Sequence, residues 1–266
     1  MHAFEYHRPA STNEATSLAG KKEQGRYLAG GQSLVQAMKL RLSSPSDLID
    51  LSSLKDLVGI KASGGGVEIG AMTRHADVAA SSLVQKTIPA LASLAGIIGD
   101  RQVRHMGTIG GALANSDPAA DYPAAALGLG ATITTHKRKI EADKYFKGLF
   151  ETALEAGELI TSVSFPAPKR AAYMKFKNPA SRFAMVGVFV ADFGGGKVRV
   201  AVTGAGPCVF RQAEMEKALA AKFAPDAVAS IKVKSDGLNN DLHASPEYRA
   251  HLITVMAKRA VEAALK

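Results

Sequence analysis

Hydrophobic positions in the first 165 residues alternate between short runs of strand character and stretches with apolar side chains three and four apart, the helical spacing. Glu5-Tyr6-His7 reads as a strand. A helix follows, capped by Ser11 or Thr12, and Glu14 completes a capping box if Ser11 is the cap. Tyr27-Leu28-Ala29 is a short buried strand, turned by Gly30-Gly31 into a helix over 33–40 with Leu34 and Met38 on one face. Residues 47–51 form a strand, and 58–61 with 67–71 form a hairpin around Gly64-Gly65-Gly66. Thr73 caps a short helix through residue 79. Residues 88–98 form an apolar helix with Pro89 in its first turn, where proline is tolerated. A helix over 123–129 takes its cap from Asp117 or Asp121, and strands follow at 131–135 and 158–165. Beyond residue 168 the pattern shifts. Tyr173-Met174-Lys175-Phe176-Lys177 alternates, which places Lys175 and Lys177 on one face of a strand. A second hairpin spans 185–193 and 197–203, and helices at 211–222 and 251–265 close the chain. The class is α+β, in two or three compact lobes without a repeat of fixed period.

Two stretches interrupt this pattern with glycine. Tyr27-Leu28-Ala29-Gly30-Gly31-Gln32-Ser33-Leu34 is strand, turn and helix start, the geometry that aims N–H groups at phosphate. The stretch 104–122 contains Gly107-Thr108-Ile109-Gly110-Gly111-Ala112 and two aspartates. Such turns expose successive N–H groups to anionic oxygens. The pair reads as two loops holding one diphosphate; the plain alternative is two ordinary strand-to-helix turns.

Composition narrows the classes. Hydrophobic residues at 47% and charged residues at 21% argue for a folded core. No apolar run reaches bilayer length, and the first residues lack a signal-peptide pattern, so the expected location is the cytoplasm. The net charge of +9 suits an anionic cofactor, nucleic acid or an acidic partner. Nucleic acid is disfavoured, because the basic residues are dispersed, tryptophan is absent and aromatics make up 6%. The single cysteine, Cys208, rules out an internal disulfide and a cysteine-ligated iron–sulfur or zinc site built by this chain alone.

The two glycine stretches, with Met38-Lys39-Leu40-Arg41 after the first and Asp117-Pro118-Ala119-Ala120-Asp121-Tyr122-Pro123 after the second, resemble the FAD loops of the flavin-binding medium subunits of molybdenum hydroxylases. Asp241-Leu242-His243-Ala244-Ser245-Pro246-Glu247-Tyr248-Arg249 is similar to that family's closing signature. The likeness covers nearly the whole chain and leans towards aerobic carbon monoxide dehydrogenase medium chains. The implied fold is the FAD-binding fold of the vanillyl-alcohol oxidase/para-cresol methylhydroxylase type. It would have an N-terminal βαβ lobe over 1–55, a second α+β FAD-binding lobe over 56–168, and a C-terminal α/β lobe of a three-stranded sheet with helices over 169–266.

The resemblance also implies site residues. Leu28, Ala29, Gly30, Gly31, Gln32, Ser33 and Leu34, with Thr108, Ile109, Gly110, Gly111 and Ala112, would surround the FAD diphosphate. A carboxylate introduced at Gly110 would then lie against the phosphates. Asp121 would accept from a ribose or adenine-side hydroxyl. Ile160 would support the adenine or dimethylbenzene end, Lys177 would lie near the flavin ring with Lys175 able to exchange roles, and Phe183 would stand against the isoalloxazine. Departures are Ala112, where relatives often carry Ser or Asn, and Phe183, which lacks a tyrosine hydroxyl. No catalytic acid, base, nucleophile or metal ligand is expected.

The implied function is electron transfer, from the [2Fe–2S] clusters of a small partner subunit through non-covalent FAD to an external acceptor. Molybdopterin would sit in a large partner subunit, in a dimer of heterotrimers, without membrane insertion but with peripheral attachment through the complex. The alternatives are a free-standing FAD-dependent oxidoreductase of the same fold, and a basic nucleotide-binding module without catalysis.

Overall fold

In the computed structural model, which describes residues 1–22 and 24–266, the strands form three principal sheets in chain order. The first is parallel, with Asp47–Asp50 between Glu5–His7 and Gly25–Leu28. Parallel neighbours need crossovers, and helices Thr12–Lys21 and Leu34–Lys39 provide them. Ser11 caps the first of these through Glu14 N–H, while the Glu14 carboxylate accepts from Ala10 N–H. Ala15, Ile49, Leu54 and Leu57 form a small core there, and Leu159 joins it from much later in the chain.

The second sheet is antiparallel, in the order Ile60–Ser63, Gly66–Gly70, Ile160–Phe165, Thr132–Thr135, Lys139–Glu141. Its middle strand is the last to be made and slots between two earlier hairpins. Its apolar face packs on helices Pro89–Gly96, Ile109–Asn115 and Tyr122–Leu129 through Val67, Ile69, Leu91, Leu94, Ile133 and Val163. The third sheet runs Arg170–Lys177, Ala184–Asp192, Val198–Thr203, Phe210–Arg211, all antiparallel, so it has four strands where three were expected. Side chains alternate across it. Val186, Val188 and Val190 face Met215, Ile253 and Met256 of the C-terminal helices, whereas Phe189 and Ala191 face the core of the second sheet. Because both faces are covered, that strand reads as unbroken hydrophobic sequence.

Local chemistry moves several boundaries. Thr73 caps no helix: its hydroxyl bonds both backbone groups of Gly59, and the helix His75–Ala80 starts at Arg74. The apolar helix is shorter than 88–98, ending at Gly96, and a separate helix Ser82–Thr87 precedes it. The last helix is Pro246–Ala264, capped by Ser245 through Tyr248 N–H and begun by proline where no N–H is needed. The largest revision concerns 104–122. It is mostly helical, with Arg101–Met106 capped by Asp100 and Ile109–Asn115 capped by Thr108, joined through Gly107. Among the described residues no helix is long and apolar enough to cross a membrane.

Candidate functional site

A cavity of about 800 Å³ is lined from all three sheet regions, within the range of pockets that hold organic cofactors. Its first wall begins where the strand Gly25–Leu28 ends. Gly31 takes φ 71°, a conformation that disfavours a side chain. The N–H groups of Gly30, Gly31, Gln32 and Ser33 donate to no group among the described residues, and the Ser33 hydroxyl makes no capping bond. Four unengaged donors in one turn, followed by a helix, form an anion-binding concavity.

The two glycine stretches touch. A Cβ at Gly30 would lie 2.1 Å from the Met106 carbonyl oxygen and 2.8 Å from Gly107 Cα, and a Cβ at Gly111 would lie 3.6 Å from Ala29 Cβ. Only one stretch offers its backbone, however. Ile109 N–H donates to Thr73 O (3.1 Å), Gly110 N–H to Ala71 O (2.8 Å), Gly111 N–H to Thr108 Oγ1 (3.1 Å) and Ala112 N–H to Thr108 O (3.0 Å). The expected cradle over Thr108 to Ala112 is therefore consumed by helix and sheet contacts, and within it only Thr108 N–H is unengaged. Gly110 serves packing: its missing Cβ would meet Ala71 Cβ at 2.6 Å, so a side chain there points into Ala71 and away from any phosphate.

His75 lies beneath the second stretch. Its N–H donates to Gly107 O, and its Nε2 would be 2.6 Å from a Cβ on Gly107. The ring lines the cavity, is 5% exposed, and tilts against Tyr122 with centroids 5.2 Å apart. Burial, then the nearby Arg104 charge, pulls the imidazole down to about 4, so it is neutral at pH 7. Its Nδ1 and the Tyr122 hydroxyl have no hydrogen-bond partner among the described residues. Glu158, also on the wall, is fully committed: Thr135 Oγ1, the Arg138 guanidinium and Glu155 N–H all donate to it. The Arg138 hydrogen bonds hold its carboxyl down at about 2.

Asp121 is not a free acceptor. Tyr173 donates to one of its oxygens at 2.6 Å and Lys175 Nζ to the other at 3.0 Å, with both side chains of the ion pair 4% exposed. Burial pushes its carboxyl up against the pull of Lys175 and the two hydrogen bonds. Asp121 stands at the N-cap of the helix Tyr122–Leu129 but its side chain makes no capping bond, and the Asp117 carboxylate accepts from Ala119 N–H in the preceding turn. Lys175 and Lys177 do not share a face as expected. A bulge between Phe176 and Lys177 breaks the alternation, so Lys175 turns inward to Asp121 while Lys177 is exposed and does not line the cavity. Ile160 lines the wall adjoining the first sheet, near Gly157, whose carbonyl accepts from the Tyr27 hydroxyl. Phe183, 47% exposed, lines the wall adjoining the third sheet. Sequence patterning overlooked His75, Glu158 and Arg182. None of the three left a clear local signal, since even His75 stands between Arg74 and Asp77.

Comparison with known proteins agrees with this architecture. Residues 2–168 match the family model of the FAD-binding domain in molybdopterin dehydrogenase, and residues 171–264 match the carbon monoxide dehydrogenase flavoprotein C-terminal domain. The chain is 36% identical to the carbon monoxide dehydrogenase medium chain of Afipia carboxidovorans, over 98% of this chain and 96% of that one. It is 35% identical to the glyceraldehyde dehydrogenase medium chain of Sulfolobus acidocaldarius, over 97% and 96%. Reconstituted carbon monoxide dehydrogenase from Oligotropha carboxidovorans superposes with a TM-score of 0.91 at 35% identity, covering 99% of this chain and 98% of that one. Quinoline 2-oxidoreductase from Pseudomonas putida 86 also gives 0.91, at 29% identity over 99% and 97%. The chain belongs to the FAD-binding medium chains of the molybdenum hydroxylases, flavoprotein subunits of oxidoreductases. Within that family it is similar to the carbon monoxide dehydrogenase type.

Proposed function

We propose that this chain holds FAD non-covalently in the cavity and passes electrons from the [2Fe–2S] clusters of a small partner subunit to an external acceptor, molybdopterin being held by a large one. The observation that carries the reading is the turn at Gly30–Ser33, whose four unengaged N–H groups open on a cavity of cofactor size. Bound there, FAD would take electrons singly from iron–sulfur centres and release them to the acceptor.

The residues of this chain have simpler tasks. Gly30 to Ser33, with Thr108 N–H, receive the diphosphate. Gly111 and Ala112 give it backbone without bulk, and Ala112 offers no side-chain donor. Ile160 supports one end of the cofactor and Phe183 covers another part. Asp121 and Lys175 are a neutralised pair beside it. The three-lobe division at 1–55, 56–168 and 169–266 is supported by the three sheets. Relatives described as medium chains support an assembly with further subunits; the form proposed is a dimer of heterotrimers in the cytoplasm.

The test is to purify the chain with whatever subunits accompany it. One FAD per chain, bleached when the iron–sulfur subunit is reduced, is expected. A colourless complex overturns the reading, and flavin without cluster-bearing partners overturns the electron-transfer part alone.

A further inference from the structure

The turn that follows the helix Pro89–Gly96 reaches the cavity at Ile98 and Gly99, and three cations meet the carbonyls of Ile97, Ile98 and Gly99. Lys175 donates to Ile97 O and is neutralised by Asp121. Arg104 Nη1 donates to Ile98 O at 2.9 Å and to Gly99 O at 3.1 Å. Arg182 Nη1 reaches the same Gly99 oxygen from the third-sheet side at 3.4 Å. Neither guanidinium pairs with a carboxylate among the described residues; the acidic side chain nearest Arg104 in sequence, Asp100, accepts from Val103 N–H, and the one nearest Arg182, Asp192, pairs with Arg170. Two like charges therefore converge on one carbonyl at the cavity wall, an arrangement that an anion would relieve.

Arg182 is the more available of the two. Its contact is near the outer limit of a hydrogen bond, so the guanidinium is not tied down. It is exposed, lines the cavity and sits beside Phe183. It also holds φ 63°, a left-handed conformation that costs a residue with a Cβ and that glycine would take at no penalty. Strain kept at a cavity rim is a pointer to use. The turn that carries it is braced from within, since Asn178 Oδ1 accepts from Ala180 N–H and Ser181 N–H. The donors fitted to the FAD diphosphate lie elsewhere, at Gly30–Ser33.

We propose that Arg182, backed by Arg104 at the shared Gly99 carbonyl, forms an anion subsite at the mouth of the cavity, which receives the charged group of an anionic electron acceptor while it takes electrons from the flavin. The proposal rests on the FAD reading above. The electron balance is simple: one fully reduced FAD gives two electrons and two protons, two ferricyanide ions each take one electron to become ferrocyanide, and the protons pass to solvent.

The test uses the purified complex, reduced with titanium(III) citrate and mixed in stopped flow with trianionic ferricyanide or neutral menadione, following flavin absorbance. Arg182→Gln is expected to lower the ferricyanide-to-menadione rate ratio about tenfold, the lower end of electrostatic steering effects. Arg182→Glu should lower it further. Inorganic pyrophosphate, at ionic strength matched with chloride, should compete with ferricyanide in the wild type and not in Arg182→Gln. An unchanged ratio, or pyrophosphate inhibition that survives the substitution, overturns the proposal. So does loss of flavin from a folded Arg182→Gln complex, which would assign the pair to the phosphates of FAD itself. A wild-type complex without flavin would instead defeat the FAD reading.

Discussion

The carbonyl oxygen of Met106 occupies the space that a Cβ at position 30 would need, 2.1 Å from its ideal site. No side chain yields there, because the obstacle is backbone on both sides. Gly30→Ala must push the first turn off the second stretch, at a cost of about 1–3 kcal/mol of overpacking, and it disperses the N–H groups that face the cavity. The expected outcome is a folded complex with a lower melting temperature and flavin content reduced more than tenfold, read from the ratio of flavin to protein absorbance. Full flavin loading would show that the turn tolerates the shift.

Gly110 and Ala71 form a second close pair, and its consequence is stability. Gly110→Ala puts a methyl 2.6 Å from Ala71 Cβ. Destabilisation of about 1–3 kcal/mol is expected from overpacking. Adding Ala71→Gly removes the opposing methyl and should recover about half of the loss. Urea unfolding of the three variants measures it, and additive losses in the double variant would contradict the contact.

Lys175→Met leaves the Asp121 carboxylate buried with only Tyr173 for company. Removing one partner of a buried pair costs about 3–5 kcal/mol. The remaining carboxyl, already pushed up by burial, would rise further. The folded state then keeps a proton that the unfolded chain releases above 3.8, so stability of this variant falls as pH rises through that window. Adding Asp121→Asn removes the charge and should restore most of the stability and abolish the pH dependence. Denaturation midpoints across pH test both points.

His75 and Glu158 give the wild type an acid sensitivity of the opposite sign. The folded imidazole titrates at about 4 and the unfolded one at 6.5, so the unfolded state binds the extra proton and stability declines as pH falls between them. Glu158, held at about 2 by Arg138, contributes stability above 4.5 that is lost as pH falls towards 2. In His75→Gln the slope between 6.5 and 4 should flatten while the lower one persists. The histidine C–H resonances should show one ring that stays neutral through the upper window; a ring titrating near 6.5 at this position would contradict the buried geometry.

The sequence displayed the site unevenly, for physical reasons. Gly30-Gly31 was legible because a glycine pair at the end of an apolar strand has few other uses. Gly110-Gly111 looked like a loop for the same cause, and lies in the helix Ile109–Asn115. Glycine is a poor helix former, yet here it lies in a helix because Ala71 leaves no room for a side chain at Gly110 and the Thr108 hydroxyl crowds position 111. The Phe176–Lys177 bulge leaves no mark in an alternating sequence, and so the two lysines looked equivalent. The central place of Ile160–Phe165 in its sheet is a long-range pairing that no local pattern encodes. His75 and Arg182 gain their surroundings only from chain distant in sequence, at Gly107 and Gly99.

The cavity draws its walls from Arg26 through Phe183. That span has a consequence for biosynthesis. The first turn emerges from the ribosome long before the strand Ile160–Phe165 and the 178–183 turn that complete the enclosure. Domains fold as units during synthesis, but this pocket closes only when the third sheet begins to form. Cofactor capture is therefore a late event in the life of the nascent chain, and truncations ending before residue 183 should emerge without flavin however well their first two sheets assemble.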